Sequence, residues 1–349
     1  MSKTVISMLV LLTATAWTQA QASEDHASRG STFTFYQEND LYTGTDRDYT
    51  NGIKMTMISS DLSAYRDSPD LPAWSHALID ALPFVDGPGL LRTISFSIGQ
   101  NMYTPDDIKR VPPDANDRPY AGITYASVGF HTRNHRIMDT WEFDLGVIGP
   151  HSYAENTQKT FHRWTDSRYP RGWDYQIKDE PLVNIFYERK WRLFPDAPLE
   201  GWGWDVIPHA GCALGNAFTT VNGGGQVRFG WNLPRDFGTL CIRPGSDTNA
   251  PFDEQDPRFH RWPRRVGVHA FTALDTYACL RDITLDGNTF KHSPKVHKYP
   301  MNLRLISGFG MIAGRFKLTY AYVAMSKQYT RQEKWQRFGT ITISYTFNP

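Results

Sequence analysis

The chain has 349 residues, of which 40% are hydrophobic and 14% aromatic, and its mean hydropathy of -0.48 does not fit a large apolar core. Its 37 basic and 36 acidic residues give a net charge of +1, which excludes the strongly basic balance of a nucleic-acid-binding protein. Three cysteines, Cys212, Cys241 and Cys279, have no metal-type spacing and allow one disulfide at most, for which Cys212 and Cys241 are a candidate pair.

The N-terminus has the features of a secretory signal peptide. A basic residue precedes an apolar run over residues 5–16, and Ala20 and Ala22 follow with the A-x-A spacing of a cleavage site. The apolar run is shorter than the roughly 20 residues that a spanning helix needs. We therefore predict that residues 1–22 are a signal peptide and that residues 23–349 form the exported domain.

Alternating hydrophobicity predicts about twelve strands in the exported domain. The last strand shows the pattern best, because Ile341, Ile343, Tyr345 and Phe347 alternate with hydroxyl residues. Such alternation is typical of a membrane barrel with one lipid-facing and one lumen-facing side. The predicted fold is therefore an all-β, transmembrane, antiparallel up-and-down β-barrel with long, partly helical outward loops. Its strands centre near Phe35, Met55, Phe96, Tyr125, Phe143, Phe186, Ile207, Val227, Phe271, Leu303, Tyr320 and Ile343.

Alternate connections of an antiparallel barrel emerge at the same rim. The loops with the most reactive side chains follow the first, third, fifth and ninth predicted strands, so we expect them to gather at one end. Long loops of outer-membrane barrels usually face outward. The loops at this end are residues 38–49, 101–120, 151–180 and 281–300, whereas the long segments 60–92 and 232–265 belong to the other end.

The first of these connections is rich in oxygen-bearing side chains. Asn39 and Asp40 end the first strand, and Thr50 opens the second. Carboxylate, amide and hydroxyl oxygens are the ligands that calcium prefers. The same residue types are also common in turns, where they bond their own backbone. The cluster therefore predicts either a calcium site or an ordinary polar turn.

The third connection contains a candidate general base. Gln158, His162 and Asp166 are spaced four apart, which places them on one face of a helix. A histidine oriented by a carboxylate can take a proton from water. The chain has no G-x-S-x-G or H-E-x-x-H motif, so water is the favoured nucleophile. The alternative histidines on composition alone are His131, His135 and His151.

The second connection carries the adjacent cations Lys109 and Arg110. They are suited to docking a phosphorylated substrate. The alternative is that both are solvated charges on a loop.

Several longer motifs occur in an order that resembles the outer-membrane lipid A 3'-O-deacylase family. The resemblance covers nearly all of residues 23–349. Its motifs include END at 38–40, TDRDYTNG at 45–52, QNMYTP at 100–105, DRPYAG at 117–122, DFG at 236–238 and LDGNTF at 285–290.

The resemblance implies a twelve-stranded barrel whose active site lies between the barrel wall and an outward loop. There, calcium-dependent hydrolysis would remove the 3'-linked acyloxyacyl chain of lipid A. The family has an acidic partner shortly after the histidine, but the matching position in this sequence is Ser167 or Arg168. Asp166 is the nearest carboxylate. Matched position by position, the resemblance implies His162 as the general base, Asn39, Asp40 and Thr50 as polar active-site residues, and Lys109 and Arg110 as the pair for lipid A phosphate.

Two alternatives to the lipid A deacylase stay open on the sequence. One is an outer-membrane phospholipase, which the same ester chemistry permits. The other is a non-enzymatic porin or adhesin barrel that binds lipopolysaccharide and does not need His162. We expect a monomer in the Gram-negative outer membrane, with its site near the outer leaflet and with lipopolysaccharide and membrane lipids as its partners.

Overall fold

The computed structural model confirms the predicted fold class, a closed antiparallel barrel of twelve strands. It describes residues 30–43, 48–69, 71–87, 89–166, 168–194, 200–252 and 254–347, so the predicted signal peptide lies outside the described residues. Each of the twelve predicted strand centres falls within the corresponding strand. The strands are β1 (Thr32–Asn39), β2 (Asp48–Ile58), β3 (Leu91–Thr104), β4 (Ala121–Arg133), β5 (Ile137–Ile148), β6 (Glu180–Trp191), β7 (Trp202–Gly215), β8 (Phe218–Trp231), β9 (Val266–Asp282), β10 (Met301–Ala313), β11 (Phe316–Met325) and β12 (Gln336–Thr346).

Short helices lie in the connections between strands. None of the helices in the described part of the chain is long and apolar enough to cross a membrane. The α-helices are α1 (Ala73–Asp80), α2 (Ala154–Thr165) and α3 (Ile283–Asp286), and the 3-10 helices are Asp40–Thr43, Tyr65–Asp67, Pro150–Ser152, Trp173–Tyr175 and Pro257–Phe259.

The two faces of the wall follow the alternation seen in the sequence. On β12, Thr340, Thr342 and Ser344 are buried in the lumen, whereas Ile343 is exposed on the opposite face. Across the closing pair of strands, Thr34 donates a hydrogen bond of 3.1 Å to Ser344. The lumen is therefore polar and the opposite, lipid-facing surface is apolar.

Aromatic side chains cluster on the lipid-facing surface at the end of the barrel where the chain termini lie. Trp202 and Trp204 begin β7, and Phe229 and Trp231 end β8 beside them. The rings of Trp202 and Phe229 stack with their centroids 5.3 Å apart. Amphipathic rings of this kind mark the membrane–water interface, so the cluster fits one of the aromatic girdles of an outer-membrane barrel.

The order of strands places the reactive loops together, as predicted. With twelve strands both termini lie at one end, which in an outer-membrane barrel is the periplasmic end, and the opposite end is the outer rim. Residues 60–92 and 232–265 lie at the periplasmic end. The outer rim carries the connections β1–β2, β3–β4, β5–β6 and β9–β10, together with the short β7–β8 and β11–β12 connections.

The connection from β8 to β9, residues 232–265, folds back into the lumen and is called the plug below. Asp247 of the plug accepts hydrogen bonds from Lys54 at 2.6 Å and Thr56 at 2.9 Å on β2. Asp236 of the plug pairs with Lys317 on β11 at 2.5 Å. The backbone nitrogen of Gly245 in the plug also donates a hydrogen bond of 2.7 Å to Glu142 on β5. Because β5 lies opposite β11 in the ring of strands, these contacts show that the plug crosses and fills the lumen. This filling disfavours the alternative of an open porin.

The three cysteines are free, so the disulfide that the sequence allowed between Cys212 and Cys241 is not formed. Cys212 is exposed on β7 and faces the lipid side, because the residues that alternate with it, such as Asp205 and His209, face the lumen. Cys241 belongs to the plug and is buried in the lumen. The barrel wall therefore separates the two thiols.

Candidate active site at the outer rim

The oxygen-rich residues of the first connection share one row across neighbouring strands. Asn39 at the end of β1 pairs with Asn51 on β2, and Asn51 pairs with Met102 on β3. On β1, Glu38 is one of the alternate residues that face the lumen, so Asn39 lies on the lipid-facing side. Asn39 and Asn51 are nevertheless buried, because connecting segments cover the wall here.

A β-bulge adds Thr50 to this row. The register between β2 and β3 shifts between Tyr49 and Asn51, so Thr50 is an extra residue on β2. Tyr49 lines the lumen with Tyr103, whereas the hydroxyl oxygens of Thr50 and Thr104 lie 2.7 Å apart on the other side of the wall. A bulge re-aims side chains in this way. Thr50 and Asn51 consequently both face the covered, lipid-facing side.

The β5–β6 connection covers this part of the wall. The carbonyl oxygen of Ser152 accepts hydrogen bonds of 2.7 Å from both Gln100 on β3 and Thr124 on β4. Gly122 allows the close approach, because a Cβ atom there would lie 2.2 Å from Ser152 Oγ and 2.4 Å from the Cβ of Ala154. Helix α2, which starts at Ala154, is thereby held against the lipid-facing surface of β3 and β4.

Gln158 and His162 lie on one face of helix α2, as their spacing in the sequence predicted. Both side chains are buried on α2, one turn apart. The indole nitrogen of Trp173 donates a hydrogen bond of 2.7 Å to Gln158 Oε1. Asp166 follows the last helical residue and adopts a left-handed conformation, with its side chain exposed.

His162 is oriented by a backbone group. Its Nδ1 donates a short hydrogen bond to the carbonyl oxygen of Arg168. The expectation that Asp166 orients the ring is therefore wrong, because the turn after α2 brings the Arg168 carbonyl to Nδ1 and leaves Asp166 exposed. A donor at Nδ1 means that the neutral ring carries its lone pair on Nε2. The geometry thus provides a base at Nε2.

The row on β1 and β2 has the chemistry of a hard-cation site. Asn39, Asp40 and Thr50 are buried beside one another in the chain or the register. Asn51 Oδ1 is a buried oxygen for which the described residues supply no hydrogen-bond donor. No group of three His, Cys, Asp or Glu side chains in the described part could hold a metal ion. A cation here would therefore depend on amide and hydroxyl oxygens together with Asp40, and this donor set fits calcium.

The two cations predicted to bind phosphate lie in different surroundings. Arg110 forms an exposed ion pair of 2.7 Å with Asp114 of the same loop. Lys109 lines a cleft together with Arg168 and Arg171 of the β5–β6 connection. The substrate-binding role of Lys109 and Arg110 stays a prediction.

None of the three alternative histidines is buried against the covered wall. His131 is buried in the lumen between Ser95 and Thr140, at 2.9 and 3.0 Å. His135 follows β4 at the periplasmic end. His151 is largely exposed and pairs with Asp179 at 2.7 Å. Burial raises the pKa of Asp179, but hydrogen bonds from the His151 backbone and ring outweigh it and hold that pKa below its usual value.

The DRPYAG segment organises the rim around this site. Arg118 is completely buried and donates to Thr284 at 3.1 Å in the β9–β10 connection. The hydroxyl of Tyr120 donates to the carbonyl of Ile108 at 2.9 Å, and its ring packs on Trp173 with centroids 4.9 Å apart. These residues tie the outer loops together and support the segment that holds His162.

The model of the family described as outer membrane protein LpxR matches residues 5–347. The chain belongs to the LpxR family. The structure of LpxR from Salmonella typhimurium superposes with a TM-score of 0.66 at 17% identity, covering 90% of this chain and 100% of that one. The β domain of the Bordetella autotransporter BrkA gives a TM-score of 0.42 at 8% identity, covering 92% and 100%. No curated protein matches.

LpxR family membership confirms the resemblance seen in the sequence and the location in the outer membrane. It makes the chain an outer-membrane protein of the lipid A deacylase type. Two groups next to the predicted site residues escaped prediction from the sequence, namely the hydroxyl of Thr104 and the carbonyl of Arg168. Asn51 lies within the TDRDYTNG motif, whose amide, carboxylate and hydroxyl oxygens had already suggested a cation site.

Proposed function

We propose that the protein hydrolyses the 3'-O-linked acyloxyacyl ester of lipid A, with water as the nucleophile and His162 as the general base. The observation that carries the proposal is the position of His162 on the lipid-facing surface at the outer rim. A lipid of the outer leaflet can reach this surface by moving within the membrane, without entering the plugged lumen.

The chemistry assigned to His162 follows from its hydrogen bond. Nε2 removes a proton from water as the water oxygen attacks the ester carbonyl. The Arg168 carbonyl, bonded to Nδ1–H, stabilises the imidazolium that forms. Collapse of the tetrahedral intermediate breaks the bond to the sugar oxygen, which receives the proton from Nε2. The products are a free 3'-hydroxyl group and the released acyloxyacyl carboxylic acid.

We further propose that Asn39, Asp40, Thr50 and Asn51 hold calcium. Their buried oxygens, including the unsatisfied Asn51 Oδ1, support this assignment. When bound, calcium supplies a Lewis acid that polarises the ester carbonyl and stabilises the oxyanion. The amides of Asn39 and Asn51 and the carboxylate of Asp40 also hold this part of the rim next to the reacting ester.

Mass spectrometry of lipid A from cells that express the protein tests the proposal. Wild-type protein should remove the mass of one acyloxyacyl chain, and either His162→Ala or calcium chelation should abolish the loss. His151→Ala is a matched control, because it removes an exposed histidine from the same connection and should leave the activity intact. Unchanged lipid A together with fatty-acid release from phospholipid vesicles would support the phospholipase instead. A wild-type effect that survives His162→Ala would refute the assigned base.

A further inference from the structure

The β2–β3 connection covers part of the barrel wall at the periplasmic end. We call its residues 62–69 and 71–86 the collar. Tyr65 of the collar is buried, and its ring packs edge-on against the ring of Phe130 on β4, with centroids 5.4 Å apart. Phe130 faces the lipid side, because its neighbour His131 is buried in the lumen. The collar is therefore packed against the outside of the barrel.

The wall under the collar shows where the membrane ends. Paired residues on the lipid-facing side of β3 to β6 form rows at successive distances from the periplasmic end. We call them the apolar row, the aromatic row and the charged row, in order towards the periplasm. The rows are Phe96–Val128–Phe143–Ile185, Ile94–Phe130–Trp141–Tyr187 and Arg92–Thr132–Asp139–Arg189. A change from apolar through aromatic to charged side chains places the membrane–water interface at the aromatic row.

The collar is held at the depth of this interface. Trp141 Nε1 in the aromatic row donates a hydrogen bond of 2.9 Å to the carbonyl oxygen of Pro83. The ring of Phe84 stacks on Tyr187 of the same row, with centroids 5.8 Å apart. The guanidinium group of Arg189 in the charged row lies 4.3 Å from the centroid of the Phe84 ring. The collar consequently covers the boundary between the aromatic and the charged rows.

Helix α1 of the collar is amphipathic around its axis. Successive residues of a helix are rotated by about 100°, so residues four apart share a side. The two flanks of α1 are therefore each about 100° away from the side that is buried against the wall. The side towards the wall has Ser75 and Ile79, one flank has Trp74 and Leu78, and the other flank has His76 and Asp80. One flank is apolar and the other is polar.

The polar flank of α1 lies towards the charged row. Asp80 forms an ion pair of 3.3 Å with Arg66. Arg66 follows Tyr65, whose hydroxyl oxygen lies 2.9 Å from that of Thr132 in the charged row. The opposite, apolar flank therefore lies towards the apolar row and the hydrocarbon of the membrane.

The apolar flank is exposed. Trp74 is 71% and Leu78 is 63% exposed, although both are large apolar side chains, and they continue the lipid-facing surface of the wall. A helix with Trp and Leu on one side and polar residues on the other lies in the plane of a membrane interface. We infer that the collar binds the phospholipids of the periplasmic leaflet, with Trp74 and Leu78 inserted among their acyl chains. This contact is independent of the hydrolysis of lipid A.

Spin labels on single cysteines measure the depth of each flank. The exposed Cys212 is first replaced by Ser, because the other two cysteines are buried. Labels are attached at Leu78→Cys on the apolar flank and, as the matched control, at Asp80→Cys on the polar flank. Ile185→Cys on the apolar row is the reference for lipid exposure. Each barrel is placed in nanodiscs of phosphatidylcholine, where collisions with oxygen and with a water-soluble nickel chelate report the surroundings of the label.

The labels on the two flanks should differ. We expect the label at position 78 to lie about 5 to 10 Å inside the headgroup boundary and to prefer oxygen, as the label at position 185 does. The label at position 80 should collide mainly with the nickel chelate. Equal accessibility at positions 78 and 80 would overturn the inference. So would a label at position 78 that the chelate reaches freely, which is the result expected if the flank docks a periplasmic protein instead.

A pair of serine substitutions tests whether the apolar flank holds the collar in place. Trp74→Ser combined with Leu78→Ser removes two large apolar groups from the acyl chains and should accelerate amide exchange in residues 73–86 at least about tenfold in the nanodisc. Ala73→Ser combined with Ala77→Ser is the control, because both alanines are exposed on α1 and lose little apolar area. Electrophoretic mobility first establishes that each variant is a folded barrel. Equal exchange in the two double variants would overturn the inference.

Discussion

Neutralising Asp247 should loosen the plug. The carboxylate lies 2.6 Å from Lys54 Nζ and 2.9 Å from the Thr56 hydroxyl, and all three groups are buried. Removing one partner of a buried ion pair costs about 3 to 5 kcal/mol. Glu142 lies 3.3 Å from Lys54 and still balances part of the lysine charge when Asp247 is replaced by Asn. We therefore expect a destabilisation at the lower end of this range, about 3 kcal/mol, for Asp247→Asn. That free energy raises the population of a displaced plug about a hundredfold.

Conductance of single barrels in planar lipid bilayers measures this population. Wild-type protein should conduct rarely, and Asp247→Asn should open about a hundred times more often. Asp80→Asn is the control at the same end, because its pair with Arg66 at 3.3 Å is exposed and contributes at most about 1 kcal/mol. Cleavage of the plug by trypsin after Arg258, which is buried in the wild-type plug and is followed by Phe259, should rise in parallel. An Asp247→Asn barrel as closed and as protease-resistant as wild type would refute the role of this contact.

Three further predictions concern the outer rim. Gly122→Ala places a methyl group 2.2 Å from Ser152 Oγ and should displace α2, which would lower kcat about a hundredfold in a folded barrel. Gly223→Ala is the control and should leave kcat unchanged, because its Cβ would have its nearest neighbour at 3.7 Å. Equal rates for the two variants would contradict this prediction. Asp40→Asn should raise the calcium concentration for half-maximal activity at least about tenfold, because it removes the one carboxylate of the row, and an unchanged titration curve would count against the site. Because the pKa of Asp179 is lowered in the folded protein, its carboxylate stabilises the β5–β6 connection fully above about pH 3.9, and this stabilisation is lost as the pH falls through the lowered pKa. Amide exchange in residues 149–179 should therefore accelerate over that acidic range in wild type but not in Asp179→Asn.

The barrel could be predicted from the sequence because each strand carries its own signal. Alternation with a period of two, as in Thr340 to Phe347, is a local property that survives without tertiary information. Counting the strands then assigns each loop to a rim, which is why the outer connections were grouped correctly. The helical spacing of Gln158 and His162 is local in the same sense.

Features that depend on long-range pairing could not be predicted. The bulge at Thr50 decides which side of the wall this residue faces, and it exists only in the register between β2 and β3. The plug appears in the sequence as an ordinary polar loop, because its contact between Lys54 and Asp247 joins residues far apart in the chain. The partner of His162 is a backbone carbonyl, and any residue type supplies one, so the sequence had no signal that favoured Arg168 over Asp166.

The central claim is that the protein hydrolyses one particular ester of lipid A, with His162 as the general base. Purified protein is incubated with purified lipid A, and tandem mass spectrometry locates the free hydroxyl group in the product. We predict a single product that lacks the 3'-linked acyloxyacyl chain, formed by wild type and by His151→Ala but slowed about a hundredfold to ten-thousandfold by His162→Gln. Loss of a different acyl chain, or an undiminished rate with His162→Gln, would contradict the account.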